Sequence, residues 1–182
     1  MEDRAVRIFE GWEPPEGYRA ELLRGEVLLT PGPDIVHNLL VASVRDQVPY
    51  ARWHRLHTQD VSIPSDGSEP QPDLVVFERG SVEENGRLLA AADVTLVVEV
   101  VSKTSIDRDY RTKRYLYAEG TIPAYLIVDP IKGVCVLLTE PTADAPGGTP
   151  DYLAKRIGKF GDSMPVDVLD LTLDTSEFRT YF

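Results

Sequence analysis

Runs of apolar residues and their spacing divide the chain into a short set of elements. Residues 18–23 and 26–30 are two strand-like runs around Arg24-Gly25, which predicts a β-hairpin with Gly25 supplying the positive φ of a tight turn. After Pro33-Asp34 the period changes, and Ile35, Val36, Leu39, Leu40, Ser43 and Val44 follow helical spacing. Residues 56–63 return to strand character. Residues 74–77 and 95–101 are nearly continuous apolar runs, the mark of strands covered on both faces. Thr104-x-x-Asp107 has the form of a capping box and predicts a helix over 106–119 that stops at Gly120. Further strands are expected over 124–128, 133–139 and 152–157. Pro- and Gly-rich stretches at 13–17, 31–33, 64–72 and 141–150 mark loops. The last is the longest, and its 143–150 portion reads as mobile and without a core residue. Hairpin, helix, strands, second helix and strands in that order predict a mixed α/β (α+β) fold, with a mixed central sheet flanked by helices.

A length of 182 residues suits one domain, expected to span 1–182, at about 100–200 residues per domain. Lys and Arg number 19 against 30 Asp and Glu, giving a net charge of −11 and a pI near 4.7. That balance speaks against a general coating of nucleic acid, which needs cations to neutralise phosphates, but leaves room for one local basic cleft. Cys135 is the only cysteine, so a disulfide framework and a four-cysteine zinc site are excluded. No signal peptide and no apolar run of membrane-spanning length is visible, so a soluble, cytoplasmic protein is expected. There is no Walker loop, G-x-S-x-G motif or helix-turn-helix.

Two carboxylates stand in unusual places. Glu99 interrupts the otherwise apolar run 95–101, where a charge is costly unless paired, protonated or bound to metal. Asp73 follows Pro72 and opens the run 74–77. A third group is Lys113. It shares a helical stripe about 60° wide with Ile106, Tyr110 and Tyr117, which turns it towards the sheet. Each also has an ordinary reading: a turn aspartate, a buried ion-pair partner, and a lysine whose stem packs while its ammonium reaches water. Together they suit phosphodiester hydrolysis. One Asp, one Glu and a backbone carbonyl suffice for Mg²⁺ or Mn²⁺, and a nearby lysine offsets the developing charge. Residues 103–114 also carry Lys103, Arg108, Arg111, Lys113 and Arg114 against Asp107 and Asp109, a local basic rim. For Arg108 and Arg111 a solvated helix face is the simpler expectation.

The stretches 21–27, 33–37, Pro72-Asp-Leu-Val-Val76, Leu96-Val-Val-Glu-Val-Val-Ser102, Asp109 through Lys113 to Tyr117, and Ile122-Pro-Ala-Tyr-Leu-Ile-Val-Asp-Pro130 share an order and spacing. In these the chain resembles the Uma-two family of restriction endonucleases, within the PD-(D/E)XK nuclease superfamily. The resemblance implies a restriction-endonuclease-like core with an N-terminal hairpin. It also implies an endonuclease that cuts DNA using Mg²⁺ (or Mn²⁺), with Asp73, Glu99 and the Val100 carbonyl as metal ligands. The superfamily's lysine follows the acidic residue by two; here that place holds Val101, and the role passes to Lys113 rather than Lys103. Glu21 and His37 fall on family-like positions as accessory residues, although a solvent-facing strand glutamate and a satisfied helix histidine are the commoner cases. His54 and His57 have no ligand spacing. A homodimer is expected, because cutting both strands of a duplex needs two sites related by a two-fold. The alternative is a non-catalytic, structural or partner-binding relative that keeps the fold.

Overall fold

A two-residue loop joins hairpin strands without splaying them in a primed turn, and the type I′ form has positive φ at both residues. Arg24 (φ 51°) and Gly25 (φ 80°) take that form, pairing β1 (Tyr18–Leu23) antiparallel with β2 (Glu26–Pro31). The structure, a computed structural model, describes residues 4–65, 67–82 and 86–181; the first three residues of the acidic N-terminus, Asp66 in the 64–72 loop and Phe182 lie outside them. A short helix not anticipated from the sequence, α1 (Arg4–Glu10), precedes the hairpin and packs Phe9 against Ala20 and Leu22.

Asp34 caps α2 (Ile35–Gln47), its Oδ1 accepting the His37 N–H at 2.9 Å, as an N-terminal cap should. The strand expected over 56–63 is not one element. It divides into the end of β3 (Trp53–Leu56) and the two-residue β4 (Val61–Ser62), with residues 57–60 outside any strand. The chain continues through β5 (Leu74–Glu78), β6 (Leu89–Ala90) and β7 (Leu96–Val100).

The second helix is also not uniform. Residues Arg108–Thr112 form a π-helical turn, followed by α3 (Lys113–Glu119). Ile106, expected on the inward stripe, is 40 % exposed because the wider turn shifts everything before Lys113 around the axis. Thr104 and Asp107 do not form the expected box; Ser105 Oγ instead accepts the Ser102 N–H at 2.9 Å. The helix stops at Gly120 as expected, but with φ −71°, and Thr121 (φ 57°) takes the left-handed position. Glycine is required at 120 for space: a Cβ there would lie 2.8 Å from Ile63 Cδ1 and 2.9 Å from Ala91 Cβ.

Five more strands follow: β8 (Ala124–Asp129), β9 (Val134–Thr142), β10 (Asp151–Lys159) and the hairpin β11 (Ser163–Val166) with β12 (Leu171–Asp174). The central sheet runs β10-β9-β8-β7-β5-β3, antiparallel except for the parallel pair β7–β8, which α3 bridges. Alternation along β7 and β8 sorts the core. Leu96, Val98, Val100, Leu126 and Val128 face α2 and its Leu40, Val41 and Val44. Val97, Val101, Tyr125 and Ile127 share the other layer with Tyr117 and Ala118 of α3. Glu99 falls on this second face by the same alternation. The 143–150 loop is the β9–β10 hairpin connection; it does contribute a buried residue, Ala145, while 146–149 are exposed. Among the described residues no helix is long and apolar enough to cross a membrane.

Candidate active site

The register of the two antiparallel central strands decides which carboxylates meet. Leu74 pairs with Val98 as the last pair of the ladder, and the same register carried one and two steps further sets Asp73 towards Glu99 and Pro72 towards Val100. Proline has no N–H, so the Val100 carbonyl gains no ladder partner from that neighbour. The Val100 N–H instead donates to Asp73 Oδ2 at 2.9 Å. A cleft of about 180 Å³ opens over this point.

Three further elements reach into it. From α2, His37 Nε2 lies 3.0 Å from Asp73 Oδ2. A carboxylate only accepts, so that nitrogen carries the proton. From β1, Arg19 Nη1 donates to Asp73 Oδ1 at 3.0 Å. Lys113 at the head of α3 is 2 % exposed, its Nζ 2.6 Å from Glu99 Oε1 and 2.7 Å from Glu21 Oε1. Tyr117, one turn on, donates to the same Glu99 oxygen at 2.7 Å. Glu21 is held in turn by the Gln71 N–H at 2.8 Å, because the hairpin docks through Leu22 and Glu69 onto the 68–71 segment.

One ammonium thus serves two buried carboxylates. Burial pushes the Glu99 carboxyl well above its usual range, with Lys113 opposing and the Asp73, Asp109 and Glu21 charges adding to the rise. Asp73 goes the other way: burial would raise it, but His37, Arg19 and Lys113 hold it far below the ordinary carboxylate value. Lys113 is raised in spite of burial, because Glu21, Glu99 and Asp109 surround it. It therefore keeps its proton and acts as a fixed positive charge.

Asp73, Glu99, Lys113, Glu21 and His37 all line this one cleft. Glu21 is 3 % exposed, so the solvent-facing strand position expected of it is wrong. The basic rim does not hold together. Lys103 and Arg111 are exposed, and Arg114 is clamped by two bonds to Asp151, at 2.6 and 2.9 Å. Arg108, expected on a solvated face, lines the cleft instead. Two site residues were not anticipated. Arg19 follows from Glu21 by strand alternation once Glu21 faces inward. Asp109 is 1 % exposed, four residues before Lys113, and burial pushes its carboxyl up to about 6. Its Oδ2 accepts the Ser105 hydroxyl, while Oδ1 is buried without a hydrogen-bond partner. Tyr125 donates to the Asp109 carbonyl at 2.9 Å, satisfying a backbone group of the π turn.

A family model described as "Uma2: Putative restriction endonuclease" matches residues 7–176, which include every residue of this cleft named above. The chain belongs to the Uma2 family. A crystal structure described as "a putative nuclease belonging to DUF820", from Anabaena variabilis, superimposes with a TM-score of 0.72. It is 16 % identical and is matched over 95 % of this chain and 96 % of its own, a likeness that establishes the shared fold. No curated protein matches the chain.

The donor chemistry of this Uma2 cleft fits a hard divalent cation, since its carboxylates and the Val100 carbonyl are oxygen ligands and Asp109 Oδ1 is buried without a partner. The carboxylates are not arrayed as a ready-made cage: among the described residues no three His, Cys, Asp or Glu side chains form one. Asp73 Oδ1 accepts from Arg19 and Oδ2 from His37 and the Val100 N–H, so a cation at Asp73 has only the remaining side of Oδ1, next to the Arg19 guanidinium, unless it displaces one of these donors.

Proposed function

We propose that this protein is a divalent-metal-dependent endonuclease that hydrolyses phosphodiester bonds of DNA. Asp73, Glu99 and the Val100 carbonyl would hold Mg²⁺ or Mn²⁺, and Lys113 would be the active-site cation. The observation that carries this reading is the meeting of Asp73, Glu99 and a buried, fully paired Lys113 in one cleft of a Uma2-family fold. When bound, the metal polarises a phosphoryl oxygen and lowers the pKa of an attacking water. Lys113, protonated throughout the working pH range, offsets charge that develops on the phosphoryl group and does not serve as a base. His37 orients Asp73, and Tyr117 orients Glu99, through the bonds described above. Cutting both strands of a duplex calls for a two-fold pair of such sites, so we propose a homodimer, checked by sedimentation equilibrium.

Two observations favour a second reading, a structural or partner-binding protein that retains the fold without cleavage: Asp73 already accepts three donors, and Val101 stands two residues after Glu99. Calorimetric titration with Mn²⁺, paired with a supercoiled-plasmid nicking assay, separates the two. The nuclease reading expects Mn²⁺ binding and nicking by wild type, both lost in Asp73→Asn. Wild-type protein that neither takes up Mn²⁺ nor nicks DNA leaves the second reading standing.

A further inference from the structure

Two guanidiniums in the cleft have hydrogen-bonding capacity that the protein leaves unused. The Arg108 side chain is only 18 % exposed, and its Nε is buried without a partner. Its ion pair with Asp109 Oδ1 spans 3.7 Å, beyond hydrogen-bond reach. Asp109 Oδ1 is itself without a hydrogen-bond partner, so the pair is not a closed structural contact that satisfies both ends. Arg19 uses Nη1 on Asp73, and its Nε too is buried without a partner. An arginine offers five donors in a planar fork and accepts none, and leaving such donors unmet in a part-buried wall is costly. Arg111 is the contrast: 73 % exposed and paired with Asp107 one turn away.

Backbone geometry explains how Arg108 reaches the cleft. On an unbroken α-helix, at about 100° per residue, Arg108 would lie roughly 140° around the axis from Lys113. A turn closed by i→i+5 bonds advances roughly 80° per residue, which brings the two to within roughly 40°. The π turn Arg108–Thr112 therefore moves Arg108 from the solvent side to the side of Lys113. Turns of this kind recur at functional sites.

We infer that Arg108, together with Arg19, is an anchor for a phosphodiester oxyanion of the substrate. The guanidinium fork matches two phosphate oxygens, and the unused donors lie in the same cleft as Asp73, Glu99 and Lys113. The identity of the anion as DNA backbone rests on the nuclease reading; the existence of an anion site does not.

The test uses ¹⁵N-labelled protein with Ca²⁺ as the cation, following the arginine Nε–Hε signals during titration with a short DNA duplex and, separately, with inorganic phosphate. The Arg108 signal is assigned by its loss in Arg108→Gln, or in Arg108→Lys if the first variant does not fold. The duplex is expected to move the Arg108 signal. Arg108→Gln is expected to weaken duplex binding about tenfold and to lower the salt slope by about one, with Arg111→Gln leaving both unchanged. A signal that the duplex leaves in place, or that moves with inorganic phosphate alone, overturns the inference. Equal effects of Arg108→Gln and Arg111→Gln also overturn it. A duplex that moves Arg108 but is never cut with Mg²⁺ or Mn²⁺ supports the anchor and sinks the nuclease reading. Cleavage with the Arg108 signal unmoved does the reverse.

Discussion

Lys113→Met removes one positive charge and keeps the volume of the stem, so it isolates what the buried ammonium does. In the native cleft that ammonium lies 2.7 Å from Glu21 and 2.6 Å from Glu99, with all three side chains at most 5 % exposed. Without it two carboxylates face each other in a space closed to water. Removing one partner of a buried ion pair costs about 3–5 kcal/mol, out of about 5–15 kcal/mol for a typical domain, so the variant should fold with little margin. Relief comes from protonation. Glu99 is held above its usual value even with Lys113 present, and in the variant it loses the positive charge that opposes that rise. A carboxyl whose folded pKa lies above its unfolded one contributes stability that is complete below the unfolded value. That contribution is lost as pH rises through the folded value. The penalty should therefore be largest at about pH 8 and clearly smaller at about pH 5, at up to about 1.4 kcal/mol for each pH unit and group. Urea unfolding of wild type and variant at both pH values measures it. A penalty under about 1 kcal/mol at pH 8, or one that does not change between the two pH values, would refute the pairing of Lys113 with Glu21 and Glu99. In the nicking assay the same variant should lose on the order of a hundredfold in rate, while Lys103→Met, an exposed residue, should lose little.

Three other perturbations have definite outcomes. Asp109, raised from 3.8 to about 6 chiefly by burial, loses roughly 3 kcal/mol on ionising in the fold. Asp109→Asn should therefore raise urea stability by up to about 2 kcal/mol near pH 8 and add nothing near pH 4; equal effects at both would contradict the cause given. Gly120→Ala places a methyl 2.8 Å from Ile63 Cδ1 and 2.9 Å from Ala91 Cβ, and should cost about 1–3 kcal/mol, seen as a fall of several degrees in Tm. An unchanged Tm would mean those neighbours move aside freely. Deleting residues 146–149 should shift Tm by no more than about 2 °C, since all four are exposed and loop length carries only a slow entropic cost. Extending the deletion through the buried Ala145 should cost more.

Local chemistry wrote much of this protein into its sequence. The hairpin at Arg24-Gly25, the capped start of α2 at Asp34, and the strands 74–77 and 95–101 are set by turn residues, caps and runs of β-branched side chains within a few positions of one another. Asp73, Glu99 and Lys113 were legible for the same reason: each breaks a pattern its neighbours establish. Glu21 and His37 break none, and the residues that bury them, Gln71 with Lys113 and Asp73, lie 50, 92 and 36 positions away. Arg108 was hidden by the π turn, whereas Asp109, four residues before Lys113, lies on the side of Lys113 in an ordinary helix as well. One extra residue in a helical turn leaves the composition untouched but rotates all that precedes it, and periodicity counted at 3.6 residues cannot register it. What the sequence by itself determined, then, is which segments are strands and helices and which polar residues are out of place in them. Which of these share a cleft, and which charge answers which, was decided only in three dimensions. Strand register set Asp73 against Glu99, and helix phase turned Lys113 and Arg108 to the same side. Both depend on packing between segments far apart in the chain.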